Sequence, residues 1–281
     1  MKRKTKKENN NIILILKGIL MGIFDLVPGI SGGTIALITN IYQKLIREID
    51  NFFELIKTII ILNKKKIKEK YKKTDFKFLI ILAIGVVIGI IISINIMSYL
   101  LNNFFAQTMG AITGAILASG IILTKKNYKH KNIIYAILGL IIGIIISIIT
   151  PLAGQTFNYT QIFFLGAITI IGMILPGISG ALILLLLGGY EFMIFALKNI
   201  NTEYLIVIAF MAGAIIGLSA FAKTINYALK KHHEKTMIFL SSLMIGAITK
   251  PILEILNIAN PLSAIPFFLI TIIIAIIIAK K

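Results

Sequence analysis

The chain has no cysteine. Disulfides and thiolate metal sites are therefore excluded, and the compartment has to be read from topology rather than from redox chemistry. Acidic residues are scarce, 11 against 29 Lys and Arg in 281 residues, for a net charge of +18. That charge would suit nucleic acid, but the lysines fall in short clusters between apolar runs. There they set membrane topology and meet anionic headgroups, so nucleic acid is not expected as a partner. No Walker loop, catalytic triad or metal-ligand spacing occurs, and no cofactor or metal is expected. No cleavable signal is evident, because Lys2-Arg3-Lys4 leads through an apolar run straight into the first motif. What remains is 58% hydrophobic and 14% charged, which lies outside the soluble range and indicates a polytopic membrane protein.

Proline is rare as well, and two of the six open the same five-residue motif. Pro28-Gly29-Ile30-Ser31-Gly32 continues into Gly33-Thr34 within residues 18–46, and Pro176-Gly177-Ile178-Ser179-Gly180 lies within 166–194. Proline lacks the amide donor and clashes with the preceding turn, so the incoming helix should stop near Val27. A new helix can start around Ser31 to Thr34. In lipid such a break is tolerated only where it is buried in protein or lines a cavity. The second stretch repeats the first at a constant offset. Gly166, Ile171, Ile183, Leu185, Tyr190 and Ile194 answer Gly18, Ile23, Ile35, Leu37, Tyr42 and Ile46, and beyond them Gly213 and Gly217 answer Gly85 and Gly89. This is an internal duplication.

Residues 1–10 read as a basic cytoplasmic tail. Repeat one covers 11–150: a hairpin over 11–43 with arms too short to span, an interfacial amphipathic helix over 44–63, and spans near 78–101, 108–123 and 133–149. Repeat two covers 151–281: a hairpin over 161–196 and spans near 204–222, 237–248 and 262–279, with a polar stretch over 250–260 expected outside. Basic loops at 64–73, 125–131 and 230–235 alternate with loops of little charge, which places both termini in the cytoplasm and the chain in the cell membrane. The expected fold is an all-α polytopic integral membrane protein of two repeats, each a re-entrant helical hairpin plus three transmembrane helices. Three spans, an odd number, separate the hairpins. The repeats should then have inverted topology, with their breaks facing each other near the midplane.

A helix N-terminus presents unpaired N–H groups and a positive dipole end, which suits an oxyanion. Gly29, Gly32, Gly33, Gly177 and Gly180 would let a ligand approach the backbone, and Ser31, Thr34 and Ser179 add hydroxyl donors. Two such ends could hold a phosphate or carboxylate without a buried lysine; close helix crossing is the plainer use of the same breaks. An aspartate at mid-membrane costs about 2.5–3.5 kcal/mol, so Asp25 should face a cavity or a partner. It is a candidate for coupling transport to a proton or sodium ion, or else it bonds backbone donors at the break. Glu191 is a second coupling candidate, or a surface acid. Lys17 and Lys198 either guide an anion or snorkel to headgroups. Pairs such as Gly85/Gly89, Gly110/Gly114 and Gly139/Gly143 read as helix-packing seams. A homo-oligomer is open.

With these residues the chain resembles a prokaryotic membrane family long described as a domain of unknown function and now regarded as polyprenyl-phosphate (undecaprenyl-phosphate) translocases. Met21-Gly22, Asp25, Val27 to Thr34 and Ile41-Tyr42 are similar to its first signature. Leu175 to Gly180 with Gly189-Tyr190-Glu191 are similar to its second. Two positions depart: Asn40 stands where the family usually has glycine, and Gln43 where it usually has glutamate. The resemblance implies a transporter that returns the carrier lipid phosphate to the cytoplasmic leaflet. A charged phosphate monoester cannot cross hydrocarbon alone, whereas its polyprenyl tail never has to leave it. Undecaprenyl-diphosphate phosphatases share inverted repeats and Pro-Gly-x-Ser hairpins, but they continue with an arginine and add clustered glutamates. Here Gly32 follows Ser31 and no acidic cluster occurs, so an enzyme is not expected. A small-anion channel or carrier would use the same facing helix ends.

Overall fold

A computed structural model of the chain describes residues 2–25, 31–127, 132–149 and 156–279. Among these the regular elements are helices, with no strand. In order they are α1 (Lys2–Asp25), α2 (Gly32–Ile38), α3 (Tyr42–Ile60), α4 (Lys64–Lys73), α5 (Phe76–Asn103), α6 (Phe105–Asn127) and α7 (Ile133–Ile148). There follow α8 (Tyr159–Ile174), α9 (Gly180–Leu186), α10 (Tyr190–Lys198), α11 (Ile200–Lys231), α12 (His233–Ala247), α13 (Thr249–Leu256), a 3-10 turn at Pro261–Ala264 and α14 (Ile265–Ala279).

Four stretches are long and apolar enough to cross a membrane: Phe76–Ser93, Phe105–Asn127, Ile200–Lys231 and His233–Leu256. A fifth is added if α9 and α10, bent by 108° at their junction, count as one. Two of the six expected spans, Ile133–Ile148 and Pro261–Ile277, are shorter than a full crossing. Helix α1 runs back through the basic start to Lys2. Most of the polar stretch 250–260 forms α13, where Lys250 and Glu254 pair one turn apart at 3.9 Å.

Packing repeats along with the sequence. Helix α1 packs on α5, and α8 packs on α11. The remaining pairs are exchanged between the halves: α6 lies on α14, α7 lies on α12, and α6 meets α12 at the centre. Glycine lets these backbones touch. A Cβ on Gly22 would strike the Val86 carbonyl and one on Gly89 the Ile19 carbonyl. In the second half, Cβ atoms on Gly166 and Gly213 would strike Phe210 and Phe163 in the same way. The glycine pairs are thus packing seams, as their spacing indicated. Isoleucines on the outer faces, such as Ile141, Ile145, Ile208, Ile215, Ile273 and Ile277, remain exposed. Exposed apolar surface on this scale requires lipid.

Candidate functional site

The chain leaves α1 at Asp25 and returns as the seven-residue α2. Pro28, Gly29 and Ile30 lie outside the described residues. The N–H of Gly32, the first residue of α2, donates to the Asp25 carboxylate at 2.5 Å. At the other end, the Lys17 ammonium donates to the Thr39 carbonyl at 2.7 Å. Lys17 and Asp25 are about 12 Å apart along α1, and α2 is about 10 Å long. One helix therefore grips both ends of the other, with each charge matched to the dipole end it meets. Lys17 thus spends one of its donors on the C-terminal end of α2. Ser31, the N-cap, makes no capping bond, so Asp25 performs that role.

Both short helices end the same way. Asn40 takes φ +64° and Gly188 takes φ +74°. Around each, the next amide closes the same long turn: the Ile41 N–H donates to the Ala36 carbonyl and the Gly189 N–H to the Leu184 carbonyl, both at 2.9 Å. This is the left-handed helix stop that glycine forms most easily, with asparagine the best of the rest. The departure at Asn40 is thereby explained: this chain uses the second-choice residue for the same backbone.

The breaks meet each other in the interior. Ser31 Oγ donates to the Leu175 carbonyl at 3.1 Å, and the Gly177 N–H donates to Thr34 Oγ1 at 2.8 Å. Gly33 lies against the Ile174 carbonyl so closely that a Cβ there would overlap it. Gly177 itself, at φ +90°, sits against the Met244 backbone of α12. Ser31, Thr34, Ser179, Gly32, Gly33 and Gly180 are all buried. The space beside Thr34 and Gly177 is a void of about 10 Å³, room for about one water and no more. Of the expected site residues, Thr34 and Gly177 are thus bonded to each other and Ser31 and Gly33 meet the opposite break, while Gly180 lies against Met173 and Thr169 of its own hairpin.

The second hairpin lacks the charged grip. The positions answering Lys17 and Asp25 are Leu165 and Met173, and Met173 lies where a Cβ on Gly180 would touch it. Ser179 makes no capping bond. Glu191 and Lys198 are exposed on the first and last turns of α10, and no hydrogen bond or ion pair among the described residues joins them to the breaks.

One polar cluster escaped the sequence reading. Glu48 of α3 is 2% exposed and accepts from the Asp75 N–H at 2.9 Å, from Arg47 Nε at 2.9 Å and from Asn51 at 3.2 Å. Burial pushes its carboxyl up, but these donors outweigh burial and hold it below the usual range. Asp75 pairs with Lys44 at 2.7 Å, and that bond holds it low as well. Asn226 of α11 donates to Asp50 at 2.5 Å, which ties α3 to the second half. The acidic side of α3 is therefore an internal joint between repeats. Its i, i+3 and i, i+4 pattern showed an amphipathic helix but could not show which face met protein.

Taken together, these features define a multi-pass helical membrane protein in which the start of α2 is bonded to the turn between α8 and α9. The chain belongs to the VCA0040-like, undecaprenyl phosphate translocase-like family, whose profile matches residues 21–278. It is similar to the polyprenyl-phosphate transporter of Vibrio cholerae serotype O1 (strain ATCC 39315 / El Tor Inaba N16961), at 33% identity over 246 residues, covering 87% of this chain and 78% of that one. It is also similar to the polyprenyl-phosphate transporter of Staphylococcus aureus (strain NCTC 8325 / PS 47), at 30% identity over 253 residues, covering 84% of each. No solved structure matches it.

Proposed function

We propose that this chain carries polyprenyl phosphate between the leaflets of the cell membrane, with the phosphate headgroup passing between the two hairpin breaks. The observation that carries this reading is the direct bonding of one break to the other through Ser31 to Leu175 and Thr34 to Gly177. Both of its relatives named above are polyprenyl-phosphate transporters, which supports the same substrate. Among the described residues, the space of about 10 Å³ beside Thr34 and Gly177 is too small for a phosphate. Transport then requires the hairpins to part, exposing the Ser31 and Thr34 hydroxyls with the backbone of Gly32, Gly33, Gly177, Ser179 and Gly180. Inverted orientation of the two halves, both termini in the cytoplasm, would let the same opening face each leaflet in turn. The first hairpin, gripped at both ends by α1, is the fixed wall; the second, with apolar residues at the matching positions, is the one that moves.

Asp25 is the coupling candidate, since a proton or cation arriving at its carboxylate would weaken its hold on the Gly32 N–H. Glu191, exposed and remote from that bond, is the weaker of the two. The test is purified protein in liposomes carrying polyprenyl phosphate. Leaflet exchange without phosphate release supports the proposal. Release of phosphate would make the protein an enzyme, and anion flux without lipid exchange would make it a channel; either contradicts the proposal.

A further inference from the structure

The glycine seam between α1 and α5 begins where Gly18 lies against Gly85. On the N-terminal side of that seam, α1, α5 and the start of α3 border a cleft of about 310 Å³, large enough for a small ligand. Lys17, Lys44 and Lys77 line it against one acid, Asp75, which leaves an excess of two positive charges. Both carboxylate oxygens of Asp75 are already taken, one by Lys44 at 2.7 Å and the other by the Phe78 N–H at 3.0 Å. Lys44 also lies over the Phe78 ring, 4.3 Å from its centre. Lys17 gives one N–H to the Thr39 carbonyl and has two left. No acid among the described residues pairs with Lys17 or Lys77. The remaining wall is apolar and includes Ile13, which is 49% exposed, and Ile81. Lys77 stands in the first turn of α5, at the start of the apolar run Phe76–Ser93. The cleft is therefore level with the edge of the apolar layer, beside the exposed Ile12, Leu16, Ile80 and Ile84.

The second repeat shows that the fold does not need charge at this place. Leu165, Phe192 and Leu205 answer Lys17, Lys44 and Lys77, while Ile162 and Ile206 answer Leu14 and Phe78. Of these, Ile162, Leu165, Phe192 and Ile206 pack into one apolar cluster, so side chains fill the matching space. A partly buried lysine loses hydration, and an anion within reach offsets that loss. We infer that the cleft holds the phosphate headgroup of an anionic lipid, with the lysines on the phosphate and the chain leaving over Ile13 and Ile81. A phosphate monoester, at about −1.5 to −2 near pH 7, matches the excess charge better than a phosphodiester of about −1. The site rests on the cleft, its charge and the contrast with the second repeat; only its assignment to polyprenyl phosphate rests on the transport reading above.

The chain has no tryptophan, so one introduced as Ile13→Trp reports on the mouth of the cleft. The full chain carrying it is placed in phosphatidylcholine nanodiscs with a small share of one spin-labelled lipid: phosphatidic acid, phosphatidylglycerol or phosphatidylcholine. At equal mole fraction, phosphatidic acid, the monoester, should quench the tryptophan most and phosphatidylcholine least. Lys77→Leu should lower that preference by about fivefold, the weight of one lysine beside anionic lipid. Lys17→Leu with Lys44→Phe, which installs the second repeat's residues, should abolish it. Lys65→Leu, on the exposed face of α4, removes the same charge elsewhere and should leave it unchanged. Melting temperatures control for folding, and Lys77→Leu, at an exposed position, carries the test if the double variant does not fold. Quenching by phosphatidic acid no stronger than by phosphatidylcholine overturns the site. So does a preference that Lys65→Leu lowers as much as Lys77→Leu. Displacement of the phosphatidic acid by unlabelled polyprenyl phosphate assigns the cleft to the transported lipid, whereas displacement by phosphatidylglycerol alone assigns it to bulk anionic lipid. Leaflet exchange measured in parallel keeps the two readings apart: exchange without the preference contradicts the cleft alone, and the preference without exchange contradicts transport alone.

Discussion

Tyr42 and Tyr190 hold the same place in the two repeats, yet one is 1% exposed and the other 40%. Ile46 and Ile194, one turn on, differ in the same way, at 0% and 37%. The first hairpin lies in the main core with α5, α6 and α12, whereas the second packs on a small cluster of its own around Ile162, Leu165 and Met193. Backbone is what duplication has kept: the break, the seven-residue helix, the left-handed stop and the glycine seam. Side-chain chemistry has gone to one copy. Lys17, Asp25 and Thr34 face Leu165, Met173 and Leu182 across the repeat, so the first hairpin supplies charges and hydroxyls while the second offers mainly backbone groups to bond. A transporter that opens by parting two such elements gains from having one of them held.

Substitutions at matched positions break or sharpen that contrast, and the largest effect is expected at Gly33. A methyl there would meet the Ile174 carbonyl, a backbone atom that cannot rotate away. Gly33→Ala should cost about 1–3 kcal/mol of stability and most of the lipid exchange, read by thermal unfolding in detergent and by liposome assay. The second repeat already has Ala181 at this place, exposed, and Ala181→Gly should do little. Thr34→Val keeps the shape but leaves the buried Gly177 N–H without an acceptor, at about 1–3 kcal/mol. Leu182→Thr, its counterpart, should change unfolding by about 0.5 kcal/mol or less, the size of an ordinary peripheral change.

Asp25→Ala removes the cap of α2 and should cost about 1 kcal/mol. Asp25→Asn keeps an acceptor and should cost less in stability. If Asp25 couples transport to an ion, Asp25→Asn should also lose the pH dependence of exchange, and a retained pH profile would remove it from that role. The smallest effect has the opposite sign. Asn40→Gly relieves a side chain from a left-handed backbone and should raise stability by up to about 1 kcal/mol, with Gly188→Asn lowering it by a similar or smaller amount. Equal responses at Asn40 and Gly188 in sign would show that the two helix stops are not equivalent.

Much of this architecture was legible because its backbone demands a particular residue. Pro-Gly marks a break, glycine at four-residue spacing marks a seam, and a repeated motif marks a repeat. The grip of Lys17 on Thr39 was not, since a lysine near a basic tail looks like any headgroup lysine until α2 folds back beside it. Glu48 was hidden for the same reason: its partner Asp75 comes from the turn before α5 and Asp50's from α11, contacts that no local pattern encodes. The two hairpin tips were expected to face each other around a ligand, whereas here Ser31 and Thr34 bond the opposite break directly.

The central claim is that the headgroup passes where the two breaks now touch. Because the chain has no cysteine, a pair placed there reports on that contact alone. Ser31→Cys with Leu175→Cys puts one thiol on each break, beside the 3.1 Å bond from Ser31 Oγ to the Leu175 backbone carbonyl, and leaflet exchange of polyprenyl phosphate is measured in liposomes before and after oxidation. Exchange that stops when the disulfide forms and returns on reduction is the result this account predicts. Exchange that continues unchanged through the cross-linked protein would contradict it.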